Sequence, residues 1–259
     1  MKTKHILAIV VAALGLHGAA QAAAVVSANY ASLSGPTIGF NALTPGPLDD
    51  LLNLGSVTFG ERFAGQLAGS VAKAPNGDGG QNWFDDLSIG TPTAGLTLLA
   101  GAAGYNLGAY DYGDEHGIAL AGLGPKSADA VDERFGFGAI SARFATAQAG
   151  LGFLLRDSDG GDVILALYRE DGSLIERISL APLADPEAHD GQYAFIREGG
   201  VADIAGFSLY NRDAWYGISI DDLRIGGLAA ATVPEPSTAL LLGIALCGLG
   251  GARRFGRKR

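Results

Sequence analysis

Cysteine is almost missing from this chain: its 259 residues hold one, Cys247, and that one lies in an apolar run near the end. The residues before that run therefore have no intramolecular disulfide and no thiolate metal site, and a packed core has to hold them together. Inside an apolar span Cys247 reads as a small inert residue rather than a nucleophile. Histidine is scarce, at four residues, and there is neither a Gly-x-Ser-x-Gly elbow nor a His-Glu-x-x-His helix, which removes the usual support for a serine triad or a zinc hydrolase. Basic charge is short as well, with 18 Lys and Arg against 27 Asp and Glu. A surplus of negative charge repels nucleic acid and anionic lipid, so nucleic acid is not an expected partner. Sustained helical periodicity is also wanting, while glycine is abundant, at 40 residues.

The two ends depart from this pattern. At the start, Lys2 and Lys4 precede an apolar stretch from Ile6 to Leu16, and Ala20-Gln21-Ala22 supplies a small-x-small cleavage site. This is the layout of a secretory signal peptide over residues 1–22, cut by signal peptidase, with an uncleaved N-terminal anchor as the alternative. At the other end, Pro234-Glu235-Pro236 precedes an uncharged run from Ser237 to Ala252, and five basic residues including Arg253 and Arg254 follow. Sixteen helical residues reach roughly 24 Å, slightly short of a bilayer core of about 30 Å, and the basic end stays cytoplasmic. The expectation is a transmembrane helix over 237–252 and a cytoplasmic tail over 253–259. A buried core helix would show a polar face, and this run has none. Two prolines keep residues 234–236 extended and open to a protease.

The order of Pro-Glu-Pro, apolar span and arginine cluster resembles the C-terminal signal of the PEP-CTERM family. The resemblance covers about a tenth of the chain. It implies export in a Gram-negative bacterium, processing near Pro234-Glu235-Pro236 by an exosortase, and delivery to the envelope or beyond, often beside exopolysaccharide.

Without both ends, basic residues fall from 18 to 11 and acidic ones from 27 to 26, so the exported part carries about −15. Residues 23–227 are long enough for one sizeable domain, and residues 228–236 read as a linker carrying the motif. Short apolar or alternating runs recur between Gly, Asp and Asn clusters, at Val57–Phe63, Ala139–Ala145, Gly150–Arg156, Val163–Arg169, Leu174–Leu180, Tyr193–Arg197, Ile204–Tyr210 and Tyr216–Ile225. These predict an all-β fold, a single β-sandwich or jelly-roll-like domain. Asp171-Gly172 predicts a hairpin turn, and Asn76 to Gly80 a loop. Residues 94–120, rich in Ala, Gly and Leu, receive no assignment. Phe84-Asp85-Asp86-Leu87 echoes Ile220-Asp221-Asp222-Leu223, and the second pair predicts a kink or bulge in a closing strand.

Two clusters suggest chemistry. Asp157, Asp159 and Asp162 surround Gly160 and Gly161, an oxygen-rich loop of the sort calcium uses, although the distal Glu of an EF-hand is replaced by Tyr168. The same six residues also read as a plain polar turn. Tyr110, Asp111, Tyr112 and Asp114 form the densest mix of aromatic and acidic side chains, with His116 close behind. Aromatic rings stack on the apolar faces of sugars and carboxylates accept their hydroxyls, so these four are the expected polysaccharide contacts; Trp83, Trp215 and Tyr216 are further aromatics for such a surface, or core residues. Carboxylate pairs such as Asp85-Asp86 and Asp221-Asp222 exist, but neighbours in a strand point to opposite faces and form no automatic catalytic dyad. The expected role is non-enzymatic, in the envelope or extracellular matrix. A secreted polysaccharide-acting hydrolase or lyase, or a purely structural biofilm component, are the alternatives.

Overall fold

The computed structural model describes residues 23–72, 83–124, 134–156, 163–181, 190–211 and 217–229. The described residues form an all-β structure in which every strand pair is antiparallel. The larger sheet has nine strands. Its path runs β1 (Val25–Ser27), β17 (Gly191–Arg197), β14 (Gly150–Arg156), β19 (Ser219–Ile225), β11 (Ile118–Leu123), β10 (Leu107–Asp111) and β3 (Gly46–Leu48), with β12 (Phe135–Gly138) on β11 and β2 (Thr37–Ile38) on β19. The smaller runs β16 (Leu174–Ser179), β15 (Val163–Tyr168), β18 (Ile204–Asn211), β13 (Ile140–Gln148), β5 (Val57–Gly60) and β4 (Leu52–Asn53). Two ribbons complete it: β6 (Arg62–Phe63) with β9 (Leu98–Leu99), and β7 (Gln66–Ala72) with β8 (Trp83–Gly90).

One core joins the two large sheets. Leu151, Phe153 and Leu155 alternate inward from β14 and meet Leu165 and Leu167 of β15 and Phe207 and Leu209 of β18. The rings of Phe153 and Phe207 stack with centroids 6.4 Å apart. Alternation would leave the opposite faces wet, yet every residue of β14, β15 and β18 is buried. The remaining chain supplies the cover. Phe63, Leu96 and Leu98 pack on Ala166, Tyr168 and Ala205, and Leu87 packs with Ala139, Ile164 and Tyr210. On the larger sheet, Tyr30 and Leu33 pack against Ala194. Near-continuous apolar runs such as Val163–Tyr168 belong to strands covered on both sides, whereas a one-sided strand alternates.

The hairpin expected at Asp171-Gly172 forms between β15 and β16. Gly172 has φ +83°, its N–H donates to the Arg169 carbonyl at 2.9 Å, and Asp171 Oδ1 accepts from Ser173 N at 2.9 Å. The kink expected at Asp221-Asp222 is present too. Asp222 has φ +48°, and the β14–β19 register shifts there, with Leu154 opposite Asp221 but Gly152 opposite Arg224. The echoed segment behaves alike: β8 shifts register against β7 between Asp86 and Ile89.

Some boundaries differ from the sequence reading. Val57–Phe63 is not one strand. It breaks at Glu61, whose N–H donates to the Leu99 carbonyl, and β6 leaves the smaller sheet to pair with β9. Residues 94–120 hold β9, β10 and the start of β11, and β7, rich in small residues, was not expected. Residues 1–22, the loop at 76–80 and the expected transmembrane run 237–252 lie outside the described residues. Among those described, no helix is long and apolar enough to cross a membrane.

Candidate functional site

The outer face of the larger sheet carries an aromatic strip. Gly108 makes room for it: a Cβ there would stand 2.3 Å from Phe135 Cε1, so the ring lies where a side chain would be. Opposite Gly108 and Tyr110 on β11 stand Ala121 and Ala119, both small and buried. On this shallow bed the Tyr110 ring sits 5.2 Å from Phe135 and 4.8 Å from Tyr112, edge-on to the latter at 76°. Tyr110 keeps 37% of its surface exposed. Arg134, next to Phe135, lies 4.2 Å over the ring of Tyr105, another exposed tyrosine.

The loop after β10 caps itself. Asp111 Oδ1 accepts from Gly113 N at 2.8 Å, and Asp114 Oδ1 accepts from His116 N at 3.0 Å and Gly117 N at 3.2 Å. Gly113 and Gly117 take φ of +69° and +75°, a backbone shape that glycine adopts without a Cβ penalty. Asn41 Oδ1 accepts from Ile118 N at 2.7 Å and ties the loop to the N-terminal region.

Arg156 holds this loop down. It ends an otherwise apolar strand, and its side chain is 3% exposed. Its guanidinium forks onto both carboxylate oxygens of Asp114, with Nη1 3.3 Å from Oδ1 and Nη2 bonded to Oδ2. Nε donates to Asp190 Oδ2 at 3.4 Å, and the guanidinium carbon lies 3.9 Å over the Tyr112 ring. A planar fork that stacks on an aromatic while bonding carboxylates is a task for Arg rather than Lys. The Tyr112 hydroxyl lies 2.9 Å from Ser219 Oγ. The Arg156 hydrogen bond, helped by the amides of His116 and Gly117, holds the Asp114 carboxyl below the usual carboxylate range. Burial works against the Arg156 charge, but Asp114 and Asp190 outweigh it and hold that charge on. Under the same loop Asp221 is 2% exposed, and burial pushes its carboxyl up, with the Asp222 charge adding to the rise.

The four expected contact residues thus fall into two pairs. Tyr112 and Asp114 are held by Arg156 and brace the loop. Tyr110 and Asp111 are exposed at the end of β10. Trp83 stands on the β7–β8 ribbon, a different element. Asp157, Asp159, Asp162, Trp215, Tyr216 and the sorting residues Pro234, Glu235, Pro236, Arg253 and Arg254 lie outside the described residues. Among those described, no group of three or more His, Cys, Asp or Glu side chains is placed to hold a metal ion. Sequence reasoning missed Arg156, Asp190, Ser219, Phe135 and Tyr105. The one legible signal was Arg156 itself, a lone charge closing the apolar run Gly150–Leu155.

Residues 232–258 match the PEP-CTERM protein-sorting motif. The chain carries a PEP-CTERM sorting signal. The match takes in Pro234-Glu235-Pro236, the apolar run and Arg253-Arg254, and it indicates export and exosortase processing at the membrane of a Gram-negative bacterium. It does not extend into the folded region. No curated protein matches the chain. Among solved structures, a mutant of a family 29 carbohydrate binding module is 13% identical, with 52% of this chain and 89% of that chain covered at a TM-score of 0.28. A second family 29 mutant, complexed with cellulohexaose, is 12% identical, with 53% and 89% covered at the same TM-score.

Proposed function

We propose that the exported part is a non-enzymatic β-sandwich protein of the envelope or extracellular matrix that contacts polysaccharide through the exposed Tyr110 ring. The observation that carries this reading is the exposed Tyr110 ring, supported edge-on by Tyr112 and beside Phe135. A ring already held by its neighbours loses little side-chain freedom when a sugar stacks on it, which lowers the cost of binding. The Arg156 clamp on Tyr112 and Asp114 keeps that support in place.

Affinity electrophoresis through gels cast with exopolysaccharide tests this. The protein is expected to be retarded without releasing reducing ends, and Tyr110→Ala is expected to lose at least about half of that retardation. Release of reducing ends would replace the reading with a hydrolase, and equal migration with and without polysaccharide would leave a structural component. For the sorting signal, replacing Pro234-Glu235-Pro236 by three alanines is expected to leave an unprocessed, membrane-held form, seen by intact mass. Normal processing of that variant would remove the motif's role.

A further inference from the structure

The chain leaves the described fold for its sorting signal at one end of the larger sheet. β14 starts there at Gly150, β17 stops at Arg197 and β19 stops at Ile225. Arg197 N–H donates to the Ala149 carbonyl at 2.7 Å, and Gly226 N–H to the Gly150 carbonyl at 2.9 Å. The tail is fastened beyond them, with Ala229 N–H donating to the Ser32 carbonyl at 2.8 Å. The other terminus comes to the same end: Ala23, the first residue expected after signal-peptide removal, accepts through its carbonyl from Arg197 Nη1. This end is open and apolar. A groove of about 500 Å³ is lined by Ala149 and Ile196, by Gly199 and Gly200, and by Gly227 and Leu228. Leu228 is 52% exposed, and Val201, next to Gly200, is 43% exposed. Arg197, the one charged residue of the described groove wall, spends its guanidinium on Asp203, at 2.7 and 3.0 Å, and on Ala23.

We infer that this end face is a lipid-contact surface, on which the exported part rests against the bilayer until the sorting signal is processed. The inference depends on residues 237–252 being a membrane span. Tether length selects the occupant. Eight residue steps lead from Ala229 to Ser237, where the uncharged run begins, and they reach at most about 29 Å when fully extended. A domain of some 200 residues has a radius of gyration of about 17 Å and a width of roughly 40 Å, so the tail end is the part held nearest the bilayer. Two exposed apolar side chains flanking a groove whose only charge is already paired suit the boundary between headgroups and acyl chains. Glu198, exposed in the same turn, and the net charge of about −15 give no attraction to anionic headgroups. The contact is therefore apolar and weak, and the short tether sustains it by keeping the surface at high local concentration. Orientation follows from strand direction. Arg156 and Ser219 pair at the opposite ends of β14 and β19, and they fasten Asp114 and Tyr112. β14 has seven residues, about 20 Å of strand, so the loop beside Tyr110 is carried away from the bilayer, toward extracellular polysaccharide.

The test uses the full chain with Cys247→Ser and one new cysteine carrying a fluorophore. It is reconstituted into phosphatidylcholine vesicles whose lipids bear a nitroxide high on the acyl chain, a quencher that acts only at close range. Labels at Val201→Cys and Leu228→Cys are expected to be quenched. A label at Glu115→Cys, in the loop after β10 where the side chain is 90% exposed, is expected to stay bright. Leu228→Asp with the label at 201, and Val201→Asp with the label at 228, are expected to lose most of the quenching. Their melting temperatures are expected to change little, since both side chains are exposed. Equal quenching at 201 and 115, or quenching that both Asp variants leave intact, would overturn the inference, because the tether alone would then account for it. So would a chain that floats with the vesicles yet stays bright at 201 and 228; cross-linking of those two cysteines to an exosortase would then give the face to a protein partner. A chain that does not float with the vesicles would remove the membrane span itself, and the inference with it.

Discussion

Asp85 offers the sharpest test of the packing described above. It lies on β8, is 7% exposed, and its Oδ2 accepts from Ala139 N at 3.2 Å. Burial pushes its carboxyl from 3.8 to about 6, against the opposing pull of the Ala139 amide and of the Arg62 charge. A raised carboxyl pKa means that the folded protein holds the proton more tightly than the unfolded chain. The stability this provides is complete below pH 3.8 and is lost as pH rises through about 6. At about 1.4 kcal/mol per pH unit, the gap sets a ceiling of about 3 kcal/mol for the cost of ionising Asp85 in place. Asp85→Asn removes the ionisation and keeps an oxygen for the Ala139 N–H. Its amide hydrogens need an acceptor, and a buried donor left unpaired costs about 1–3 kcal/mol at every pH. The diagnostic is therefore the slope and not the offset. Urea unfolding of wild type and variant between pH 4 and pH 7.5 is expected to show the stability difference moving in the variant's favour by about 2–3 kcal/mol, with equal m values. Other titrating groups, Asp221 included, are common to both proteins and cancel. A difference that is flat in pH, or that moves against the variant on going to pH 7.5, would show that Asp85 is ionised and well paired, and the burial argument would be wrong.

Two further outcomes follow from the same geometry. Arg156→Met is expected to let the Asp114 carboxyl titrate higher, toward the ordinary carboxylate range, as read by carbon NMR; it is also expected to weaken polysaccharide retardation through the loss of Tyr112 support, and an unmoved Asp114 titration would refute the clamp. Gly172→Ala places a Cβ 2.2 Å from the Pro92 carbonyl oxygen at φ +83°, so it is expected to cost at least about 1 kcal/mol in thermal unfolding, whereas Gly199→Ala, at φ +69° with nothing near its Cβ, is expected to cost less.

Much of the smaller sheet was legible because its strands repeat one signal. Val163–Tyr168 and Leu174–Ser179 are apolar or alternating runs joined by Asp-Gly, and each came out as a strand with the turn between them. The β7–β8 ribbon was not legible, since the centre of β7, Ala68-Gly69-Ser70, is built of small residues whose pairing depends on β8 across a connecting segment. The candidate site was half legible. Tyr110 to His116 stood out by composition, yet which of these side chains remain available depends on Arg156 and Asp190, which lie 42 and 34 residues from their partners Asp114 and Arg156.

The sequence by itself determined the address of this protein and its all-β class. A sorting signal is read by other machinery as a linear order of residues, and strand patterns are local, so neither requires knowledge of what packs on what. Tertiary structure alone decided which polar groups are spent and which are free. It set Asp114 and Tyr112 under Arg156, buried Asp85 and Asp221 within strands whose neighbours Asp86 and Asp222 are less covered, and left the Tyr110 side chain exposed. Burial and ion pairing are properties of contacts between distant segments, and no window along the chain contains both partners.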